Sequence, residues 1–262
     1  MVVSPRQGAR RVARGARAGL TLLLLAALAA PAPAAAGWRP HVREAIAYAR
    51  KRAGTVRFAV RTENRLWGWR KGWTVPAASL FKAMLLVAYL NQATIRHRPL
   101  DDEDYRLIGP MIRRSDNVAA TRVLGIVGPA GVYGVARAAR MRRFTLDPVI
   151  WGDSLVDAAD QARFFLHIDD LVTPLHRPTA LHLLSSIVPS QRWGIGRLRL
   201  PGWQVYFKGG WGAGTGRVEH QGALLRNGTR RVAAAVLITD SPSHEYAKRT
   251  LRGVFARLLR GL

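Results

Sequence analysis

The sequence predicts an α+β fold, with an antiparallel sheet assembled from both chain ends and a block of helices inserted between them. Three observations predict it: an alternating apolar hairpin before residue 70, strand-like patterning after residue 203, and proline-broken helical segments in between. His41 to Ala53 is a predicted helix, because Val42, Ile46 and Ala49 recur at helical spacing and Gly54 follows as a stop. Val56, Phe58 and Val60 then alternate with Arg57, Ala59 and Arg61. Glu63-Asn64 makes the turn, and Leu66 to Arg70 returns as a second strand.

Pro76 punctuates entry into Ser79 to Gln92, a run apolar nearly all round and therefore a helix buried on every side, with Lys82 as its one charge. Residues 100–200 read as short helices broken at Pro110, Gly125, Pro129, Pro148, Pro174, Pro178 and Pro189. Ser154 with Asp157 predicts a capping box that opens a helix running to about Ile168. Trp203 to Phe207, Arg217 to Leu225 and Arg231 to Thr239 read as strands, the last two joined at Asn227-Gly228. A closing amphipathic helix, Ser243 to Leu259, carries Tyr246, Leu251, Val254, Phe255 and Leu258 on one side. The sheet lobe is thus expected over about 37–75 and 200–262, and the helical lobe over about 76–199.

Residues 1–36 read as a secretory leader: Arg6, Arg10, Arg11, Arg14 and Arg17 precede the apolar run Leu20 to Ala30, and Ala34-Ala35-Ala36 offers a cleavage site. Export to the cell envelope or beyond is the expectation, with 37–262 as a single domain, and no later stretch is read as a membrane span. The 262 residues hold no cysteine, which excludes disulfides, thiolate catalysis and cysteine-ligated metals. The formal charge of +25, of which the leader arginines supply 5, favours anionic partners such as envelope polymers. The arginines are scattered rather than striped and no aromatic RNA-binding signature accompanies them, so nucleic acid is not an expected partner. The seven histidines show no paired ligand spacing, and neither a metal nor a cofactor is expected.

The chemistry is carried by three short motifs. Ser79-Leu80-Phe81-Lys82 places a hydroxyl and an amine three residues apart at a helix start. Burial among apolar neighbours disfavours the charged lysine, which suits it to act as a base, and the helix N-terminus favours an alkoxide or oxyanion. Ser115-Asp116-Asn117 follows at a helix junction, and Lys208-Gly209-Gly210 closes a predicted strand.

In this order the motifs resemble the serine-x-x-lysine, serine-aspartate-asparagine and lysine-threonine-glycine elements of class A β-lactamases and penicillin-binding proteins. The resemblance covers about Gly37 to Leu262. It implies a β-lactamase/transpeptidase-like fold, in which an α/β/α sheet lobe carries an all-helical insert, and a monomeric enzyme. It also implies that Ser79 is acylated and that Lys82 helps activate it. Ser115 and Lys208 would relay a proton to the leaving nitrogen, Asn117 would bond the substrate's side-chain amide, and the backbone N–H groups of Ser79 and Trp211 would form the oxyanion hole. Gly209 and Gly210 would belong to the substrate-binding strand. The implied substrates are β-lactams or the D-alanyl stem peptides of peptidoglycan.

The sequence also departs from that family. Gly209 removes a hydroxyl that would hold a substrate carboxylate, leaving Arg217 or His220 as replacements. The segment Arg142 to Asp153 lacks the glutamate that activates the deacylating water, and its carboxylates, Asp147 and Asp153, are expected as a turn former and part of a cap, with a base role open to either. Slow deacylation is the consequence. Trp151, Trp193 and Trp211 are expected nearest the substrate.

Overall fold

The sheet has five antiparallel strands in the order β2-β1-β7-β6-β5: β1 (Thr55–Arg61), β2 (Leu66–Trp69), β5 (Gln204–Trp211), β6 (Val218–Asn227) and β7 (Arg230–Thr239). Strands from both ends of the chain meet where β1 pairs with β7, Thr55 opposite Thr239 and Phe58 opposite Val236. The computed structural model describes residues 37–212 and 217–262, and Trp38–Leu262 forms one compact unit. The leader lies outside the described residues.

Alternation along β6 separates two faces. Glu219 and Gln221 point toward α7 (His244–Leu258) and the turn at Trp193–Ile195, and α1 (Val42–Arg50) packs on α7. His220 and Gly222 point the other way. A Cβ on Gly222 would lie 2.2 Å from the Phe165 ring, so glycine there lets α5 (Ala158–Leu166) press onto the sheet. Three layers result, as the resemblance implies.

The helical block comprises α2 (Lys82–Leu90), α3 (Asp102–Arg113), α4 (Asn117–Ala138) and α6 (Arg177–Ser185), with α2 packed on both α3 and α4. Every residue of α2 is buried, in line with its all-round apolar pattern. Among the described residues α4 is the one helix long and apolar enough to cross a membrane by length and composition. It is broken at Gly128 (φ 60°, ψ 174°) just before Pro129, and seven of its side chains are buried against the protein's own core.

Four local expectations are corrected. Helix α5 opens at Asp157, whose side chain accepts from Asp160 N–H, and not at Ser154, whose hydroxyl instead accepts from Asp147 N–H at 3.1 Å. The run at Ser79 begins as a 3-10 turn, Ala78–Phe81, before α2. Lys208-Gly209-Gly210 lies inside β5 rather than closing it. Asp153 ends a 3-10 turn, Trp151–Asp153, instead of capping a helix.

Candidate active site

The 3-10 start has a geometric consequence. With about three residues per turn, positions i and i+3 eclipse, so Ser79 and Lys82 stand one above the other. Ala78, before the nucleophile candidate, has φ 45°, a strained left-handed conformation for a residue with a Cβ. The approach to it is fixed from outside: β3 (Val75–Pro76) pairs with β4 (Leu155–Val156), Ala77 N–H donates to Ser154 O at 2.7 Å, and His220 Nε2 donates to Pro76 O at 2.9 Å.

Lys82 is fully buried, and its Nζ donates to Ser115 O at 2.5 Å, Asn117 Oδ1 at 2.6 Å and Ser115 Oγ at 3.2 Å. Burial lowers its pKa to about 7, with Asp116 opposing the shift. The Trp151 ring stands 5.0 Å from the ammonium and stacks on Phe81 at 6.2 Å. The Ser79 hydroxyl makes no hydrogen bond among the described residues.

From the sheet, Lys208 Nζ reaches the same Ser115 Oγ at 3.1 Å and Gly209 O at 2.7 Å. Its pKa is held well below the ordinary lysine value, first by burial and then by the charge of Lys82. One hydroxyl therefore bridges two amines, and both lysines are pushed toward the neutral form. Ser115 can hold that place because the chain turns there with φ 58°, between α3 and the Asp116 side chain that caps α4 by accepting from Ala119 N–H.

Strand β5 touches the nucleophile's backbone through Gly210. A Cβ there would lie 2.6 Å from Leu80 N, 3.0 Å from Ala77 O and 3.1 Å from Ser79 N, so only glycine fits. Gly212 N–H donates to Val218 O, so by antiparallel alternation the next pair, Trp211 and Glu219, is not hydrogen-bonded. Trp211 N–H is left on the outer edge of β5, one residue from where the two backbones meet.

Ser79, Asn117, Trp151 and Trp211 line one cleft of about 190 Å³, together with Pro76, Ala78, Gly152, Asp153, Gly212 and Val218. Asp147 is a turn former, its Oδ1 accepting from Val149 and Ile150 N–H. Asp153 faces the cleft. His220 is not available to a substrate carboxylate: it is fully buried, its Nδ1 accepts from Ile238 N–H, and burial lowers its pKa to about 4. The missing hydroxyl at Gly209 also finds its reason, since a Cβ there would lie 3.0 Å from the Trp193 ring. Gln221 pins Trp193 by donating to its carbonyl and accepting from Ile195 N–H, both at 2.9 Å.

Behind Trp211 lies a pair, a buried Glu219 and a half-buried His244, that no sequence signal marks. Glu219 Oε1 lies 2.6 Å from His244 Nδ1, and the His244 ring packs on Trp193 and Trp211 at 5.8 and 6.1 Å. Burial raises the Glu219 pKa from 4.5 to about 8 and lowers that of His244. The folded protein thus keeps a proton on Glu219 that the unfolded chain releases near pH 4.5, so this group's contribution to stability falls as pH rises toward 8. Glu219→Gln is expected to remove that fall. The melting-temperature difference, variant minus wild type, should grow by at least about 2 °C between pH 5 and 8 in thermal unfolding.

No curated protein sequence matches the chain. In structure it is similar to a β-lactamase from Sphaerobacter thermophilus DSM 20745 (TM-score 0.73, 18% identity, covering 84% of this chain and 96% of that one). It is also similar to an ancestral class A β-lactamase (TM-score 0.69, 19% identity, 83% and 98%) and to the L2 protein solved with relebactam (TM-score 0.67, 18% identity, 83% and 98%). At these identities the likeness establishes the fold. The model of the β-lactamase enzyme family matches residues 105–260, more than half of the sequence. The chain belongs to the β-lactamase enzyme family.

Proposed function

We propose that the protein is an exported acyl-transferring enzyme that accepts the acyl group of a β-lactam or a D-alanyl peptide on Ser79. The observation that carries this reading is the Ser115 hydroxyl held between Lys82 at 3.2 Å and Lys208 at 3.1 Å, beside a serine on a 3-10 turn. Neutral Lys82 takes the Ser79 proton as the hydroxyl attacks the amide carbonyl. The proton passes through Ser115 to the leaving nitrogen, with Lys208 stabilising the relay. The N–H groups of Ser79 and Trp211 hold the oxyanion, where a single donor is typically worth about 3 kcal/mol.

Deacylation is slow on this reading. The residue of the 142–153 segment that stands over Lys82 is Trp151, an indole that activates no water, while Asp147 is committed to its turn. Asp153, at the cleft wall, is the carboxylate left to serve as a base. With His220 locked, Arg217 is the candidate for the substrate carboxylate. The basic surface suits an envelope rich in anionic polymers.

The test is intact-mass spectrometry over time after addition of benzylpenicillin, with peptide mapping of any adduct. A penicilloyl adduct on the Ser79 peptide that builds within minutes and decays over hours is expected. No adduct with several β-lactams and D-alanyl esters would contradict the proposal. The Trp193 ring against Gly209 favours a second reading, a binding protein without turnover, which Ser79-dependent hydrolysis of a chromogenic cephalosporin would exclude.

A further inference from the structure

A second cavity, of about 510 Å³, shares no lining residue with the Ser79 cleft. We propose that it binds a phosphate-bearing anion, a phosphate monoester or pyrophosphate group, between arginines from three elements. Arg61 ends β1, Arg140 and Arg142 follow α4, and Arg163 stands on α5; His167 and Asp170 complete the rim.

Charge bookkeeping supports the assignment. The nearby carboxylates are already committed. Asp160 accepts from the backbone N–H of Arg142 at 2.6 Å and of Arg143 at 2.7 Å, and pairs with Arg163 at 2.9 Å. Asp170 pairs with Arg231 at 2.6 Å and Arg177 at 3.6 Å, outside the cavity, and lies 3.7 Å from His167. Glu63 comes only within 4.0 Å of His167. Among the described residues the side chains of Arg61, Arg140 and Arg142 make no hydrogen bond or ion pair. Guanidinium donors without a protein partner at a cavity wall are available to an oxyanion.

The cavity is also preorganised. Arg140 takes φ 52°, and its carbonyl accepts from Arg163 Nη1 at 2.6 Å, so one cavity arginine fixes the turn that presents two others. Arg61 is depressed in pKa first by burial and then by the charge of Arg163, with Glu63 opposing the shift, and an anion between the two arginines would relieve their repulsion. Guanidinium groups converging from three elements match a tetrahedral phosphate, whose oxygens radiate in three dimensions, better than a planar carboxylate.

The experiment is titration calorimetry of the full chain with inorganic pyrophosphate, alongside flotation with phosphatidylcholine vesicles with and without phosphatidic acid. Saturable one-to-one binding of pyrophosphate is expected, weakened about tenfold or more by Arg61→Gln and by the exposed Arg142→Gln, while Arg106→Gln on α3 changes it less than about twofold. Penicillin acylation should be unchanged in both cavity variants. Binding only to phosphatidic acid vesicles, with the same arginine dependence, would support the phosphate assignment and identify a lipid headgroup as its source. No binding of either probe, equal loss with Arg106→Gln, or equal competition by chloride and sulfate at matched ionic strength would overturn it.

Discussion

Lys82→Met is expected to slow acylation of Ser79 by about 10²- to 10⁴-fold while leaving the fold intact. The methionine chain nearly matches lysine in length and occupies the same wholly buried position. It removes the amine that holds Ser115 and Asn117 and that takes the nucleophile's proton. Because burial already disfavours the ammonium, deleting it relieves a desolvation cost, and the melting temperature should not fall in proportion to the activity. Stopped-flow measurement of adduct formation, paired with thermal unfolding, separates the two. A Met variant that acylates within tenfold of wild type would remove Lys82 from the mechanism.

Gly210→Ala is expected to cost about 10²-fold or more in acylation and about 1–3 kcal/mol in stability. The added Cβ would meet backbone atoms, Leu80 N at 2.6 Å and Ala77 O at 3.0 Å, which cannot rotate aside as a side chain can. The strand must retreat from the 3-10 turn, carrying Trp211 N–H away from the Ser79 N–H with which it would share an oxyanion. Gly134→Ala is the control, because a Cβ there meets nothing within 4 Å and alanine suits the interior of α4 better than glycine. Equal loss in both variants would mean that Gly210 matters only for folding.

The fold was legible, and the motifs holding Ser79, Lys82, Ser115 and Lys208 stood out, because their signals are local. Alternation in Val56, Phe58 and Val60, the apolar run after Ser79, and the spacing from Ser79 to Lys82 each lie within a short stretch of chain. What escaped the sequence depends on contacts between distant segments. Gly209 is explained only by a tryptophan 16 residues earlier in the chain, itself pinned by Gln221 on another strand. His220 looked like a carboxylate ligand until two backbone groups, Pro76 O and Ile238 N–H, accounted for both ring nitrogens. Glu219 carried no motif, and its burial beside His244 follows from strand alternation and the docking of α7. Asp153 was misread as a cap for a simpler reason: Ser154 and Asp157 match the capping pattern, and only the pairing of Leu155–Val156 with Val75–Pro76 shows that the helix starts later.

The proposed chemistry turns on whether Lys82 is free of its proton near neutrality. The direct measurement is the second-order rate constant for penicillin acylation between pH 5 and 9, in wild type and in Lys82→Met. A lysine held at about 7 by burial predicts a rate that rises with pH through a midpoint close to 7 in the wild type, with no such rise in the variant. A wild-type rate independent of pH across that range, or the same midpoint in both proteins, would contradict the account.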